Sequence, residues 1–136
     1  MKYAVLLLAL MFAGCGGCSS TDGGYETFTI AGETMQVAKE DFPSTMNWAD
    51  ARKACESLGN GWRLPSREEQ LVMYQQLHIE GKGKFKEDYY WSSSEYTSYE
   101  FNEAMAWLFN FGMGQASTSF SERNNEFRVR AVRALP

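Results

Sequence analysis

One stretch constrains the fold of this chain more than any other. Met105, Trp107, Phe109 and Phe111 alternate along the sequence, and Ala106 and Leu108 between them are apolar too. Side chains of a strand point alternately to its two faces. A strand apolar on both faces must therefore be covered on both. That suits a domain that packs other elements on both sides of this strand. The chain is long enough to build one: 136 residues, 44% of them hydrophobic and 15% aromatic, a composition and length that fit a single globular domain. The formal net charge of −4 argues against a nucleic-acid-binding protein, which is usually basic.

The N-terminus reads as a targeting signal. Lys2 supplies one positive charge, and residues 4–13 are apolar throughout. Ten helical residues rise about 15 Å, half a bilayer core, which fits a secretory h-region and not a membrane span. Phe12-Ala13-Gly14-Cys15 follows directly and resembles a bacterial lipobox, with Phe12 in place of the usual Leu. The expectation is a signal peptide over 1–14, lipidation of Cys15 as the membrane anchor, and a glycine- and serine-rich tether over 15–24. Gly16 is not the Asp associated with inner-membrane retention, so an outer-membrane lipoprotein of the bacterial cell envelope is expected. A folded domain over 25–136 follows. Cys18 and Cys55 remain in an oxidising compartment. Cys55 reads as a buried free thiol on a helix face, with a bond to Cys18 as the alternative.

The domain alternates between the two periodicities. Residues 25–38 read as strand, turn, strand, broken at Gly32-Glu33. Asn47 is a helix N-cap, with Asp50 in the first turn and Trp48, Ala51, Cys55 and Leu58 on one face. Gly59-Asn60-Gly61 stops that helix. Ser66-Arg67-Glu68-Glu69 is a capping box that opens a second helix, with Leu71, Tyr74 and Leu77 as its inward stripe and its end near His78. Residues 81–88 read as a solvated loop. Tyr89-Tyr90-Trp91 begins a strand, residues 96–103 read as a loop, and Gly112-Met113-Gly114 turns the double-faced strand into a return strand over 115–120. Phe127, Val129 and Ala131 alternate with Arg128 and Arg130 in a last strand. Strands at both ends with two helices between them predict an α+β domain. Trp48, Trp62 and Trp91 are its expected core aromatics.

These segments carry a family resemblance. Asn47-Trp48-Ala49-Asp50-Ala51, Gly61-Trp62-Arg63-Leu64-Pro65-Ser66, Tyr90-Trp91-Ser92-Ser93-Ser94, Ala106-Trp107 and Val129-Arg130-Ala131-Val132-Arg133 together resemble the bacterial DUF1566 family. The resemblance implies a C-type lectin-like fold, two helices packed on antiparallel sheets. It also implies kinship with the C-terminal domain of a collagen-like bacterial adhesin that binds sulfated polysaccharides, and with retroelement-diversified variable ligand-binding proteins. Formylglycine-generating enzymes are more distant relatives. Their cysteine pair lies near the C-terminal end of the fold, and here no cysteine follows Cys55. The calcium-dependent sugar motifs of animal lectins, EPN or QPD with WND, are missing as well.

What the resemblance implies is a binding module, with a structural or assembly subunit of the envelope as the alternative. Ligands of such relatives meet the C-terminal half. The candidate binding residues there are Glu95, Tyr96, Tyr99, Asn102, Gln115, Ser117, Ser119, Arg123 and Asn124, whose rings, amides and charges suit a glycan or a protein outside the cell. Arg128, Arg130 and Arg133 form a basic edge, either paired with acids or facing an anionic polysaccharide. Arg63 is expected to bond to backbone carbonyls or an acid. The sequence offers no catalytic constellation. One histidine, His78, and one mid-domain cysteine do not make a typical zinc site, and Ser92-Ser93-Ser94 has no partnering base. No enzyme activity, cofactor, metal or nucleic-acid partner is expected.

Overall fold

The computed structural model describes residues 24–100, 103–118 and 123–136. The expected signal peptide, Cys15, Cys18 and the tether up to residue 23 lie outside them, as do Asn102 and Ser119. Strands β1 (Glu26–Ile30) and β2 (Glu33–Val37) form a hairpin. Helix α1 spans Trp48–Ser57, and helix α2 spans Arg67–Met73 and continues as a π-helical turn, Tyr74–His78. Strands β3 (Tyr89–Ser98), β4 (Glu103–Asn110) and β5 (Gln115–Ser117) follow, and β6 (Val132–Ala134) closes the chain. The domain is α+β, with two antiparallel three-stranded sheets ordered β1-β2-β6 and β3-β4-β5.

The double-faced strand is where the sequence required it. Phe109 lies in one core with Phe28, Met35, Val37, Met73, Leu77 and Tyr90. Leu108 and Ala106 point the other way, into a second core with Trp48, Ala51, Cys55, Trp62 and Trp91. Met105 and Trp107 are only half-buried. α1 therefore covers one face of the β3–β4 pair, while α2 and the β1-β2-β6 sheet cover the other.

Local chemistry sets the elements. Asn47 Oδ1 accepts from Asp50 N at 2.9 Å and caps α1. Gly59 takes a left-handed φ of 71° just past the helix end. The capping box of α2 is complete: Ser66 Oγ accepts from Glu69 N at 3.1 Å, and Glu69 Oε1 accepts from Ser66 N at 2.8 Å.

Several boundaries differ from expectation. The first hairpin turns at Ala31-Gly32, with φ of 51° and 82°, so Glu33 already belongs to β2. Leu58 is exposed because it is the C-cap of α1 and not part of its inward face. The inward face of α2 is Gln70, Met73 and Leu77, while Leu71 is exposed and Tyr74 half-buried. The Gln70 amide is only half satisfied: Nε2 donates to Trp91 O at 2.9 Å, while Oε1 is buried without a partner among the described residues. The segment 96–103 is not all loop: Tyr96 to Ser98 pair with Met105 to Glu103 after a bulge between Trp91 and Glu95. The return strand β5 ends at Ser117, and Phe120 lies outside the described residues. Residues 127–131 make isolated bridges and not a strand, and β6 begins only at Val132. The loop over 81–88 is tied down by Phe85, which is buried and stacked on Phe111 at 4.4 Å. His78 likewise packs among rings, 5.6 Å from both Tyr74 and Phe111.

Candidate functional site

Seven of the nine residues expected to form a binding surface are described. Glu95 is ion-paired with Arg123. The Arg123 guanidinium also lies over the Trp48 ring at 4.1 Å, so these two charges satisfy each other against α1. Tyr96 is half-buried, 5.5 Å from Trp107, and its hydroxyl donates to Met105 Sδ at 3.2 Å. Tyr99 is 98% exposed at the end of the β3–β4 hairpin. Asn124 is exposed and Ser117 half-buried. Gln115 lines a separate groove of about 420 Å³ with Arg67, Glu68, Leu71, Phe109, Gly114 and Ala116. That groove holds one cation beside one acid, Arg67 and Glu68, already paired at 2.9 Å.

The basic edge is also divided. Arg130 is 2% exposed and points inward, where Nε donates to Asp41 Oδ1 at 2.7 Å. Arg128 Nε donates to Asp88 Oδ2 at 2.9 Å. Ion pairing thus accounts for both. Arg63 does the same, with Nη1 and Nη2 each 2.8 Å from a Glu69 carboxylate oxygen and Nη1 also donating to Leu64 O.

Arg133 differs. It sits on β6 opposite Gln36 of β2, and its Nε donates to Gln36 Oε1 at 2.8 Å. Its guanidinium lies 4.6 Å from the Trp62 ring and 5.7 Å from the Tyr25 ring. Tyr25 stands 5.5 Å from Trp62, and Lys39 Nζ lies over Tyr25 at 5.1 Å. These groups line a depression of about 480 Å³ with Ala38, Leu58 and Asn60. None of its seven lining residues is acidic. The order of the chain explains the assembly. Tyr25 leads into β1, Lys39 leaves β2, Asn60 and Trp62 follow α1, and β2–β6 pairing brings Arg133 between them.

Chemically the shelf presents two cationic groups, Arg133 over the Trp62 ring and Lys39 over the Tyr25 ring. A guanidinium has five N–H donors in a planar fork, and stacking on an aromatic face leaves its edge directed outward. Lys39 adds a second, exposed point charge. Among the described residues no group of three or more His, Cys, Asp and Glu side chains is placed to hold a metal ion. None of the described helices is long and apolar enough to cross a membrane.

Residues 22–133 match the Lcl C-terminal domain family, a span that holds both helices and every strand except the last residue of β6. The chain belongs to that family. No curated protein gives a significant match to it. Of the shelf residues in this Lcl-type domain, sequence reasoning singled out Arg133 for its charge and Trp62 for the core. It missed Tyr25, Lys39 and Asn60 as site residues. Nothing in their local sequence marks them, because the shelf exists only once β2 and β6 pair.

Proposed function

We propose that this Lcl-type domain is an adhesin-like recognition module of the bacterial cell envelope that binds an acidic polysaccharide through the Tyr25–Lys39–Trp62–Arg133 shelf. The observation that carries this reading is a pair of cations over two aromatic rings, in a depression without a carboxylate, on a chain of net charge −4. Sugar rings have flat C–H faces that lie against aromatic surfaces, and sulfate or carboxylate substituents accept charge-assisted hydrogen bonds from guanidinium and ammonium groups. The resemblance to DUF1566 and to a sulfated-polysaccharide-binding adhesin domain points the same way and extends the reading to a C-type lectin-like fold. The lipobox-like Phe12-Ala13-Gly14-Cys15 supports an outer-membrane lipoprotein anchored at Cys15. A tether of some ten residues would then hold the domain away from the bilayer.

Dextran sulfate and neutral dextran form a matched pair of probes. Binding of the sulfated form is expected, weakening as salt is raised. Lys39→Ala removes an exposed charge at little cost to the fold and should lower affinity about two- to fivefold, the size of a solvent-exposed ionic contact. The double variant Lys39→Ala/Arg133→Gln should bind no better than neutral dextran does. Equal binding of both polymers, or an unchanged affinity in the double variant at unchanged melting temperature, would overturn the reading. Cys15→Ala should release the protein from the membrane fraction. A mature N-terminus beyond Cys18 without lipid would refute the anchor.

A further inference from the structure

Asn60 and Gly61 are the two central residues of the turn that leads from α1 to Trp62. Trp62 N donates to Gly59 O at 3.1 Å across it, and the φ angles of Asn60 and Gly61 are 53° and 83°. Two successive positive φ values make this a type I′ turn, in which Asn-Gly is the favoured pair. Both residues are exposed, and Asn60 lines the cationic shelf. Its backbone oxygen lies 3.5 Å from Arg133 Nη1.

The same dipeptide has a second chemistry. Glycine places no side chain around its amide nitrogen, so that nitrogen is open to the carboxamide carbon of the preceding asparagine. We propose that Asn60 is a spontaneous modification site whose product weakens the shelf. Hydroxide removes the Gly61 amide proton, and the nitrogen attacks Asn60 Cγ. A C–N bond forms, the Cγ–Nδ2 bond breaks and ammonia leaves, giving a cyclic imide. Water then opens the ring at either carbonyl, leaving aspartate or isoaspartate at position 60. The net change is one water consumed and one ammonia released, with no oxidant or reductant.

The consequence rests on the reading of the shelf as an anion receptor. The new carboxylate arises in a depression whose only charged lining groups among the described residues are Lys39 and Arg133. It neutralises one of the two and repels an acidic ligand. Isoaspartate also inserts a backbone methylene into a two-residue turn, which displaces the buried Trp62 ring beneath Arg133. Ring closure requires Asn60 to leave its left-handed setting, so the reaction proceeds from an opened turn. A ligand seated on the shelf holds the turn closed, and unoccupied molecules therefore convert first.

The full chain, incubated at mildly alkaline pH, should gain the mass of amide-to-acid conversion on the peptide holding Asn60. An isoaspartate-specific methyltransferase should label it. Asn60→Gly keeps the turn and lacks the carboxamide, so it should resist the change, and whatever dextran sulfate affinity it starts with should stay constant through the incubation. Asn60→Asp should weaken that binding about two- to fivefold, as expected for one opposing exposed charge. Absence of the mass gain at Asn60, while a synthetic peptide of residues 58–64 converts fully, would overturn the modification site. Wild-type affinity in Asn60→Asp would overturn its effect on the shelf. Failure of the wild type to bind dextran sulfate refutes the receptor reading instead, and the mass measurement still decides the modification.

Discussion

Single residues set the pH limits of this domain. Glu69 is the acid-side group. Burial alone would raise its carboxyl, but hydrogen bonds from Arg63 and Ser66 and the Arg63 charge outweigh that and hold it below the usual carboxylate value. A depressed folded-state value means that the unfolded chain binds the proton more readily, so this stabilisation is present above the unfolded carboxylate range and is lost as pH falls through the folded value. Glu69→Gln should flatten the acid limb of a urea-melt series and leave the neutral-to-alkaline limb unchanged. Cys55 is one alkaline-side group, alongside the Tyr90 phenol, which burial also pushes up. Burial, with the Glu56 charge adding to it, pushes its thiol up to about 12. The folded state then holds the proton where the unfolded thiol, near about 8.5, has lost it, so stability falls as pH rises between those values. Cys55→Ala should remove that part of the alkaline decline. At neutral pH the Cys55 thiol should react with iodoacetamide only as fast as the domain opens, and rapid labelling of the Cys55 peptide in the folded protein would contradict this assignment.

At the scale of elements, the sequence was most legible where a local rule suffices. The capping box at Ser66, the N-cap at Asn47 and the left-handed Gly59 are each decided by neighbouring residues, and each stands where the pattern put it. The inward face of α2 was misread because Gln70 is polar and Leu71 is not. The structure buries Gln70 since Trp91 O accepts from its amide, a partner 21 residues away that periodicity cannot see. The last strand was misplaced for a similar reason: residues 127–131 alternate like a strand but bond piecemeal to Met46, Tyr89, Trp91, Phe42 and Ala38. Long-range partners also decide the free edge of β1. Thr29 donates to Gln76 Oε1 and accepts from Gln76 Nε2, both at 2.9 Å, so the side-chain amide imitates a neighbouring strand. Edge strands with open backbone groups invite pairing with another chain. Gln76→Ala should speed hydrogen exchange at the Thr29 amide and cost about 1 kcal/mol, the net worth of such a bond pair in a partly exposed place. It should also raise the dimer fraction in sedimentation at high protein concentration. Unchanged exchange at Thr29 would show that Gln76 does not guard this edge.

For the whole molecule, the decisive tie is the buried guanidinium of Arg130. It joins three segments that the sheets leave separate. Nε donates to Asp41, Nη1 to Ala38 O at 3.1 Å and to Gly83 O, and Nη2 to Lys84 O at 3.1 Å, with the Phe85 ring 4.5 Å away. Asp41 Oδ2 in turn accepts from the Tyr90 hydroxyl at 2.7 Å, which links the network to β3. Lysine offers a single ammonium in place of a planar fork and cannot serve four acceptors spread over two segments besides its own. Arg130→Met removes the charge at similar length, but it leaves Asp41 and three carbonyls short of a donor. Breaking one side of a buried ion pair costs about 3–5 kcal/mol, and Arg130→Met should fall in that range in urea melts. Asp41→Asn should cost less by itself. The double variant should be more stable than the sum of the single losses predicts, with a coupling of about 1–3 kcal/mol, because the second change no longer strands a charge. The tie also reaches the shelf. Ala38, whose carbonyl Arg130 holds and whose amide donates to Ala131 O at 2.9 Å, lines the depression next to Lys39. Arg130→Lys should therefore weaken dextran sulfate binding at temperatures well below its own melting transition, although residue 130 is buried and keeps its charge. Wild-type affinity in that variant would confine Arg130 to stability alone, and a loss in Arg130→Lys below about 1 kcal/mol would refute the fork as the tie between the segments.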